Sequence, residues 1–210
     1  MKKGKVLNIS EYIKILNFIK SNKLILCLLI IFVFGFSYGI FSFKNYIILN
    51  NWANDYILNY ISLRLNTSVF KIIVVSFLKS MLFICLSFIS GTSIFGIILS
   101  PICVAGKGFL YGVVSGLLYS NYSFKGVAFH AIIFIPTATV VTIALILSAC
   151  ESINFSLTLT KLTFPTAMPV NLSLIFKNYC FKNLILSIIV LVSAIIAALI
   201  SINFLTRFSL

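Results

Sequence analysis

Apolar residues occur along this chain in long runs rather than in the mixed pattern of a soluble domain. Each run is about twenty residues long, which is the length that one helix needs to cross the hydrocarbon core of a bilayer. The alternation expected of barrel strands is missing, and unpaired backbone groups are costly in lipid, so the runs are predicted to be helices. The predicted fold class is all-α, a polytopic integral membrane helical bundle of about five transmembrane helices. The predicted spans are 24–43, 80–100, 103–120, 127–150 and 184–204.

The segment 1–23 that precedes the first run is basic and amphipathic. It contains six lysines, and Tyr12, Ile13, Leu16 and Ile19 share one helical face. This pattern predicts a cytoplasmic helix that lies on the inner leaflet. Because the following run has full membrane length and no small-x-small cleavage site follows it, the run is predicted to remain as an anchor. The remainder, 24–210, is predicted to be one five-span membrane domain.

Two polar or broken regions shape the predicted topology. Residues 44–70 are rich in asparagine and contain aromatic residues of the type found at the boundary between membrane and water. They are predicted to form an interfacial loop. The apolar stretch 80–120 is twice as long as one span, so it is expected to fold back near Pro101. The interfacial aromatic residues are Tyr46, Trp52, Tyr56 and Tyr60.

The chain has 16 basic and three acidic residues, a formal charge of +13, and 61% of its residues are hydrophobic. In a soluble protein this charge would indicate a nucleic acid partner. Here the basic residues lie between and before the apolar runs, which favours membrane lipids as the partner and excludes nucleic acid from the prediction. The spans place ten basic residues inside and six outside, so the amino terminus is predicted to be cytoplasmic and the carboxyl terminus outside.

Small residues recur at a spacing of four in two of the predicted spans. Gly108, Gly112, Gly116 and Ser120 form one such stripe, and Gly35 and Gly39 form a shorter one. Stripes of this kind let another helix approach closely. Packing within one molecule and contact with a transmembrane helix of a partner are both open interpretations.

Three other residues attract attention because of their chemistry. Pro136 removes a hydrogen bond to the carbonyl of Ile132, so a kink is expected there, with Thr137 or Thr139 as candidate donors to that carbonyl. His130 is predicted near the outer boundary, where a neutral imidazole is ordinary, and a proton-relay or substrate role is the alternative interpretation. Glu151 is predicted at the end of the fourth span, where the helix dipole favours a cationic neighbour, with Lys107 or Lys161 as the candidates.

The sequence predicts no catalytic residues, no metal site and no cofactor. It lacks paired carboxylates and the HExxH, Walker and GxSxG motifs. One histidine with scattered acids does not provide a metal site of known ligand type. The protein is therefore predicted not to be an enzyme.

A further pattern covers residues 75–205. A span with a glycine-bearing end is followed by a proline and then by Lys-Gly-Phe at the start of the next span. With this pattern the chain resembles the stage II sporulation protein M family of bacterial membrane proteins. Wider relatives often have Pro-His-Gly followed by Glu-Leu-Pro, where this chain has Phe129-His130-Ala131 and Phe134-Ile135-Pro136, so no role of that glutamate is transferred. The matching positions are Gly91, Gly96, Pro101, Gly106, Lys107, Gly108, Phe109 and Gly112, then Lys125, Gly126, His130, Pro136 and Ala144 through Glu151.

The resemblance implies a multi-pass scaffold in the septal or engulfing cell membrane during endospore formation. Such a scaffold recruits or retains cell-wall hydrolases, the stage II sporulation proteins D and P, so that septal peptidoglycan is thinned and the forespore is engulfed. The alternative hypothesis is a small permease-like protein or a membrane subunit of an export system, with His130, Pro136 and Lys107 along a path. A third hypothesis is a regulator that binds a partner through the basic segment 1–23. A homo-oligomer remains open.

Overall fold

The computed structural model describes residues 22–163 and 171–204, and this part of the chain is helical apart from short turns. The predicted all-α class is confirmed. The predicted amphipathic helix in 1–23 lies outside the described residues except for its last two positions. The helices are α1 (Lys23–Asn45), α2 (Ile47–Asn66), α3 (Val69–Gly91), α4 (Gly96–Phe129), a π-helix (His130–Phe134), α5 (Ile135–Leu162) and α6 (Leu172–Phe204).

Four stretches are long and apolar enough to cross a membrane: Lys23–Asn45, Val69–Gly91, Gly96–Leu162 and Leu172–Ser201. The third of them folds back on itself. Ser115 Oγ and His130 Nε2 are 2.9 Å apart, whereas a straight helix would separate positions this far apart in sequence by about 22 Å. The reversal occurs at Ser123, whose backbone angles are not helical. The described bundle therefore contains five apolar arms.

Neighbouring arms along the chain alternate in direction, so α3 and α5, which meet at Ser87 and Ser152, run parallel to each other. Helices α1 and α4 run parallel, because Gly35 faces Ala105 and Phe43 faces Gly116. Helices α5 and α6 run antiparallel, because Glu151 pairs with Lys182. One end of the bundle, which we call the Thr92 end, contains the α3–α4 turn and the start of α6. The opposite end, the Trp52 end, contains α2 and the Ser123 reversal.

The predicted interfacial loop at 44–70 is wrong, because most of it is the helix α2. Ala53, Ile57 and Tyr60 are buried on one face of this helix. They pack in a cluster with Val113 and Phe129 from the neighbouring arms. Residues at spacings of four and three lie on the same side of a helix, so this short apolar face supplies the packing that a polar loop would lack. Helix α2 thus packs against the arms in the half of the bundle that contains the Trp52 end.

The predicted reversal at Pro101 is also wrong, because the chain turns at Thr92–Phe95 and Pro101 lies inside α4. The hydroxyl of Ser156 on α5 donates hydrogen bonds to the carbonyls of Ser93, at 2.8 Å, and Ile94, at 2.9 Å. These bonds satisfy turn carbonyls that would otherwise lack partners in an apolar setting. The helix before this turn, α3, begins at Val69, eleven positions before the predicted span. Helices α5 and α6 likewise extend beyond the predicted spans, to Leu162 and from Leu172.

Hydroxyl and amide side chains connect the helices near the Thr92 end. Ser152 Oγ donates to the carbonyl of Ser87 at 2.7 Å and lies 2.9 Å from the hydroxyl of Tyr179. Ser148 Oγ donates to the side-chain oxygen of Asn183 at 2.7 Å. Hydrogen bonds between apolar helices fix the register where burial of apolar surface gives little drive for association. They hold α3, α5 and α6 together.

Pro136 follows the π-helix, and the expected local distortion of the helix is found there. The N–H of Ile135 bonds to the carbonyl of His130, five residues earlier, which inserts one extra residue into the helical turn. The hydroxyl of Thr137 donates to the carbonyl of Phe134 at 3.1 Å, and that of Thr139 donates to the carbonyl of Pro136 at 3.0 Å. Neither hydroxyl binds Ile132, because the extra residue shifts the register of the carbonyls.

Ser123 gives a first testable prediction. Its φ of 45° and ψ of −128° are unfavourable for any residue with a Cβ atom. We expect Ser123→Gly to raise the free energy of unfolding by about 1 kcal/mol, because glycine adopts such angles without strain. Thermal unfolding of the purified protein in detergent micelles measures the change.

Ser120 provides the matched control, because it is exposed and helical on the same arm. We expect Ser120→Gly to lower the free energy of unfolding by several tenths of a kcal/mol, the usual cost of glycine within a helix. Equal effects of the two substitutions would contradict a strained reversal at Ser123.

Candidate functional site

The two glycine stripes pack against each other. A Cβ atom on Gly112 would overlap the carbonyl oxygen of Phe36, and one on Gly39 would overlap that of Phe109. Gly35 faces the carbonyl of Ala105 and Gly108 faces that of Phe32 in the same manner, while Gly116 lies under the ring of Phe43. In this structure these glycines therefore pack within one molecule. A partner helix cannot use these faces while α1 and α4 are in contact.

Some of the remaining residues of the two stripes and of the Gly91–Gly112 pattern are packed against other helices, and others are exposed. Gly91 lies against Tyr179 and Ser152, and Gly96 lies against the carbonyl of Ser90. Ser120, the last member of the longer stripe, is exposed. Among the pattern positions, Pro101 is half-buried within α4, and the ring of Phe109 lies 5.9 Å from that of Tyr38.

Three of the four predicted interfacial aromatic residues, Trp52, Tyr56 and Tyr60, form a ladder on α2. The rings of Trp52 and Tyr56 are stacked with centroids 5.5 Å apart, and Tyr56 lies 6.5 Å from Tyr60. The guanidinium carbon of Arg64 lies 3.5 Å from the centroid of the Tyr60 ring. The spacing of four places these side chains on one helical face. Tyr46 stands apart from the ladder and is 58% exposed at the start of α2.

The ladder leads into a cavity of about 80 Å³ between α2 and the arms α3 to α6. Three basic side chains from three helices line it, namely Arg64, Lys79 and Lys107, and we call it the cationic cavity. The acidic residues Asp55 and Glu151, which belong to the described part of the chain, do not line it. Hydroxyl groups also line the walls, contributed by Tyr56, Tyr60, Ser76, Ser80, Tyr111, Thr137 and Ser193.

Lys107 is the most deeply placed of the three cations. It is 8% exposed, and its ammonium nitrogen lies 4.7 Å from the ring centroid of Phe83 and 4.8 Å from that of Tyr111. At 1.5 Å per residue it lies about 16 Å from Gly96 and about 22 Å from Tyr122 along α4. The prediction that Lys107 lies near the inner end of its span is therefore wrong, because α4 begins earlier than predicted.

Lys79 lies near the middle of α3, about 15 Å along the helix from Val69. Lys79 is exposed, and its nitrogen lies 4.9 Å from the ring centroid of Tyr56. The predicted orientation counted Lys79 outside and Lys107 inside. Because both lysines lie within helices, each is removed from that count. Nine basic residues then remain inside and five outside, so the amino terminus is still predicted to be cytoplasmic.

Arg64 and Tyr60 form the wall of the cationic cavity on α2. The guanidinium donates a hydrogen bond to Ser76 Oγ at 3.1 Å, while its Nε atom is buried with no hydrogen-bond partner among the described residues. Burial raises the pKa of Tyr60 to about 12, against the opposing effect of the Arg64 charge. Tyr60 is therefore a neutral phenol at physiological pH and can donate a hydrogen bond.

His130 lies in a different cavity, of about 470 Å³, between α1 and α5. Its Nε2 atom lies 2.9 Å from Ser115 Oγ and its Nδ1 atom lies 2.7 Å from the hydroxyl of Tyr119. Both ring nitrogens thus have partners in the hairpin at Ser123. Tyr111 and Phe134 line both this cavity and the cationic cavity, but Lys107 does not line this one. His130 and Lys107 therefore line different cavities that meet at Tyr111 and Phe134.

Glu151 pairs with a lysine other than the two that the sequence suggested. Its carboxylate Oε1 accepts a hydrogen bond from Lys182 Nζ at 2.8 Å. The predictions of Lys107 and Lys161 are wrong, because α5 continues to Leu162 and places Glu151 within the helix, opposite α6. In the described residues, no group of three or more His, Cys, Asp or Glu side chains could hold a metal ion.

The pair gives a second testable prediction. We expect Glu151→Lys to lower the free energy of unfolding by about 1 kcal/mol, because the side chains are 28% and 56% exposed and water screens them. Adding Lys182→Glu should restore most of this loss in thermal unfolding. Lys161→Glu is the matched control, and equal rescue by it would contradict a specific pair.

Sequence reasoning missed Arg64, Lys79 and Tyr111 as site residues. The signal for Arg64 was present, because Trp52, Tyr56, Tyr60 and Arg64 recur at a spacing of four. Lys79 was missed because the predicted span was started after the last charge, whereas the apolar residues from Val69 onward continue the helix. Tyr111 follows Lys107 by one helical turn, but its cavity is formed only by long-range packing.

Comparison of the chain with protein-family models gives no match, and neither the curated proteins nor the solved structures give a match to it.

Proposed function

We propose that this chain is a non-enzymatic, multi-pass scaffold of the cell membrane during endospore formation. The observation that carries the proposal is the pattern from Gly91 to Gly112, which resembles the stage II sporulation protein M family. Its glycines have a consistent physical role, because they allow the close approach of α1 to α4 and of the α3–α4 turn to α5 and α6. The pattern thus specifies the shape of the bundle.

In this proposal the partners are cell-wall hydrolases, the stage II sporulation proteins D and P. The scaffold retains them at the sporulation septum and raises their local concentration without taking part in the reaction. Since the glycine stripes are occupied, the contact surface is proposed at the Trp52 end. Tyr46, Ile47 and Ile48 are strongly exposed there, and Trp52 is 39% exposed.

Deletion of the gene in an endospore-forming host tests the proposal. We expect arrest at engulfment, with fluorescently labelled hydrolases dispersed from the septum. Wild-type protein should restore engulfment, and Ile48→Asp should not restore it although the protein accumulates in the membrane. Asn51→Asp serves as the control, because it places the same negative charge at another exposed position of the Trp52 end. Normal engulfment in the deletion strain would overturn the proposal.

A second candidate function, that of a small permease-like protein, is favoured by the cationic cavity near the middle of α3 and α4. Ionisable side chains at such depth are typical of solute pathways. Flux of an anion into proteoliposomes should then be abolished by Lys107→Gln and retained by His130→Ala, because His130 lines another cavity. Absence of flux from wild-type proteoliposomes would exclude this function.

A further inference from the structure

The cationic cavity brings three positive side chains together without a carboxylate. Arg64 comes from α2, Lys79 from α3 and Lys107 from α4, and together they line a space of about 80 Å³. Like charges in a region of low dielectric repel one another strongly, and burial adds a further cost. Among the described residues, the cavity walls contain no acidic side chain that offsets this cost.

Two of these groups have unused hydrogen-bonding capacity. Lys107 is more than nine-tenths buried, and its ammonium nitrogen lies over the rings of Phe83 and Tyr111. The Nε atom of Arg64 is buried without a hydrogen-bond partner in the described part of the chain. Buried polar groups in folded proteins are almost always satisfied. A ligand with several acceptor atoms and a negative charge would satisfy both groups at once.

The arrangement of donors fits a phosphate group. A guanidinium recognises two oxygens of an oxyanion in one plane, while an ammonium acts as a compact charge from another side. Phenol and serine hydroxyls at Tyr56, Tyr60 and Ser76 supply additional neutral donors around the same space. The cavity is several times larger than the space that one water molecule requires.

An adjoining apolar cavity of about 240 Å³ bears on the source of the phosphate. It shares Tyr56, Lys79 and Lys107 with the cationic cavity. Its other walls are mostly apolar and include Leu82, Phe83, Leu110, Val114 and Trp52. A lipid could place its phosphate between the cations and its chain along this apolar wall, whereas a free phosphate would occupy the polar part alone.

We propose that the cationic cavity formed by Arg64, Lys79 and Lys107 is a binding site for a phosphate group, either free or as the headgroup of a membrane lipid. The site does not depend on the scaffold role. The bound phosphate satisfies the buried donors and neutralises the positive charges that the bundle places together near the middle of α3 and α4.

Trp52 allows a direct test, because it is the single tryptophan of the chain and it lines the adjoining cavity. The full chain is reconstituted in phosphatidylcholine vesicles that contain either brominated phosphatidic acid or brominated phosphatidylcholine with the same acyl chains. Bromine quenches tryptophan fluorescence on contact. For a lipid headgroup we expect half-maximal quenching at about tenfold less phosphatidic acid than phosphatidylcholine, the preference given by one charge-assisted hydrogen bond. For free phosphate we expect equal quenching by the two lipids, and saturable fluorescence changes when inorganic phosphate is added to the protein in neutral detergent.

Variants test whether the cavity is responsible. Lys107→Gln and, separately, Arg64→Gln should reduce the phosphate or phosphatidic acid preference by about tenfold, and Lys79→Gln provides a further variant at the more exposed wall. Lys71→Gln is the matched control, because Lys71 is exposed on α3 and does not line the cavity. Equal quenching by both lipids together with no response to inorganic phosphate would overturn the proposal. A preference that persists in all three cavity variants would also overturn it.

Discussion

Gly112→Ala is expected to disrupt the bundle, although it adds only one methyl group. The new Cβ atom would overlap the carbonyl oxygen of Phe36, and the Cα atom of Gly39 lies close on the same side. Backbone atoms cannot move aside as a flexible side chain can, so α1 must separate from α4. Overpacking of this kind costs about 1 to 3 kcal/mol, and lost contacts along the parallel pair would add to it. Thermal unfolding in detergent micelles should show a clear fall in the midpoint, with loss of monodisperse protein.

Gly106 provides the control on the same helix. A Cβ atom there would meet only the ring edge of Phe83, at 3.9 Å, which is ordinary van der Waals contact. We therefore expect Gly106→Ala to leave the protein folded and to raise the free energy of unfolding by about 0.5 to 1 kcal/mol, since alanine favours a helix over glycine. A similar loss for both substitutions would mean that helix–helix approach is not what requires Gly112.

The contrast between Gly106 and Gly112 shows how far the sequence could predict the packing. Spacing alone predicted a stripe that permits close approach, and this approach is found. Spacing could not identify the helix on the other side, because parallel contact of α1 with α4 depends on the directions of all the arms between them. It also could not separate Gly116, which faces Phe43, from Ser120, which is exposed.

Helix α2 shows why the candidate site was only partly predicted. Its polar residues resembled a loop because hydropathy measures average composition, whereas burial here involves one narrow face with Ala53, Ile57 and Tyr60. Periodicity along 52–64 would have predicted the aromatic ladder and Arg64. The meeting of Arg64 with Lys79 and Lys107 required tertiary structure, because the three residues lie on three different helices.

Charges also misled the assignment of helix boundaries. Predicted spans were placed between charged residues, which moved Lys79 and Glu151 to helix ends. In the structure α3 begins at Val69 and α5 ends at Leu162, so both residues lie within helices. A helix ends where its backbone groups find other partners, as at the α3–α4 turn, where Ser156 binds two carbonyls. A charged side chain within a helix can instead find a partner on a neighbouring helix, as Glu151 does.

Lys107 has a positive charge without a carboxylate partner among the described residues, so its replacement is expected to stabilise the protein, whereas Gly112→Ala is expected to destabilise it. We expect Lys107→Met to stabilise the protein when no ligand is added. Methionine keeps a similar length and makes favourable contacts with the rings of Phe83 and Tyr111. The substitution removes a buried cation that lacks a carboxylate partner among the described residues, and replacing buried ionic groups by apolar ones gains about 1 to 4 kcal/mol. A gain of about 2 kcal/mol would raise the unfolding midpoint by about 4 to 8 °C in a chain of this size.

Lys125→Met is the control for this experiment, because Lys125 is exposed near the Ser123 reversal and its replacement should change stability by less than about 0.5 kcal/mol. A ligand that binds only the folded protein stabilises it in proportion to the logarithm of its concentration over Kd. Phosphate or phosphatidic acid should therefore raise the unfolding midpoint of the wild-type chain and of Lys125→Met, but not that of Lys107→Met. If Lys107→Met were less stable than the wild type in the absence of ligand, Lys107 would be a packing residue. The opposite result, a more stable variant that no longer responds to phosphate, would show that the lysine reduces the stability of the bundle and is needed for the ligand.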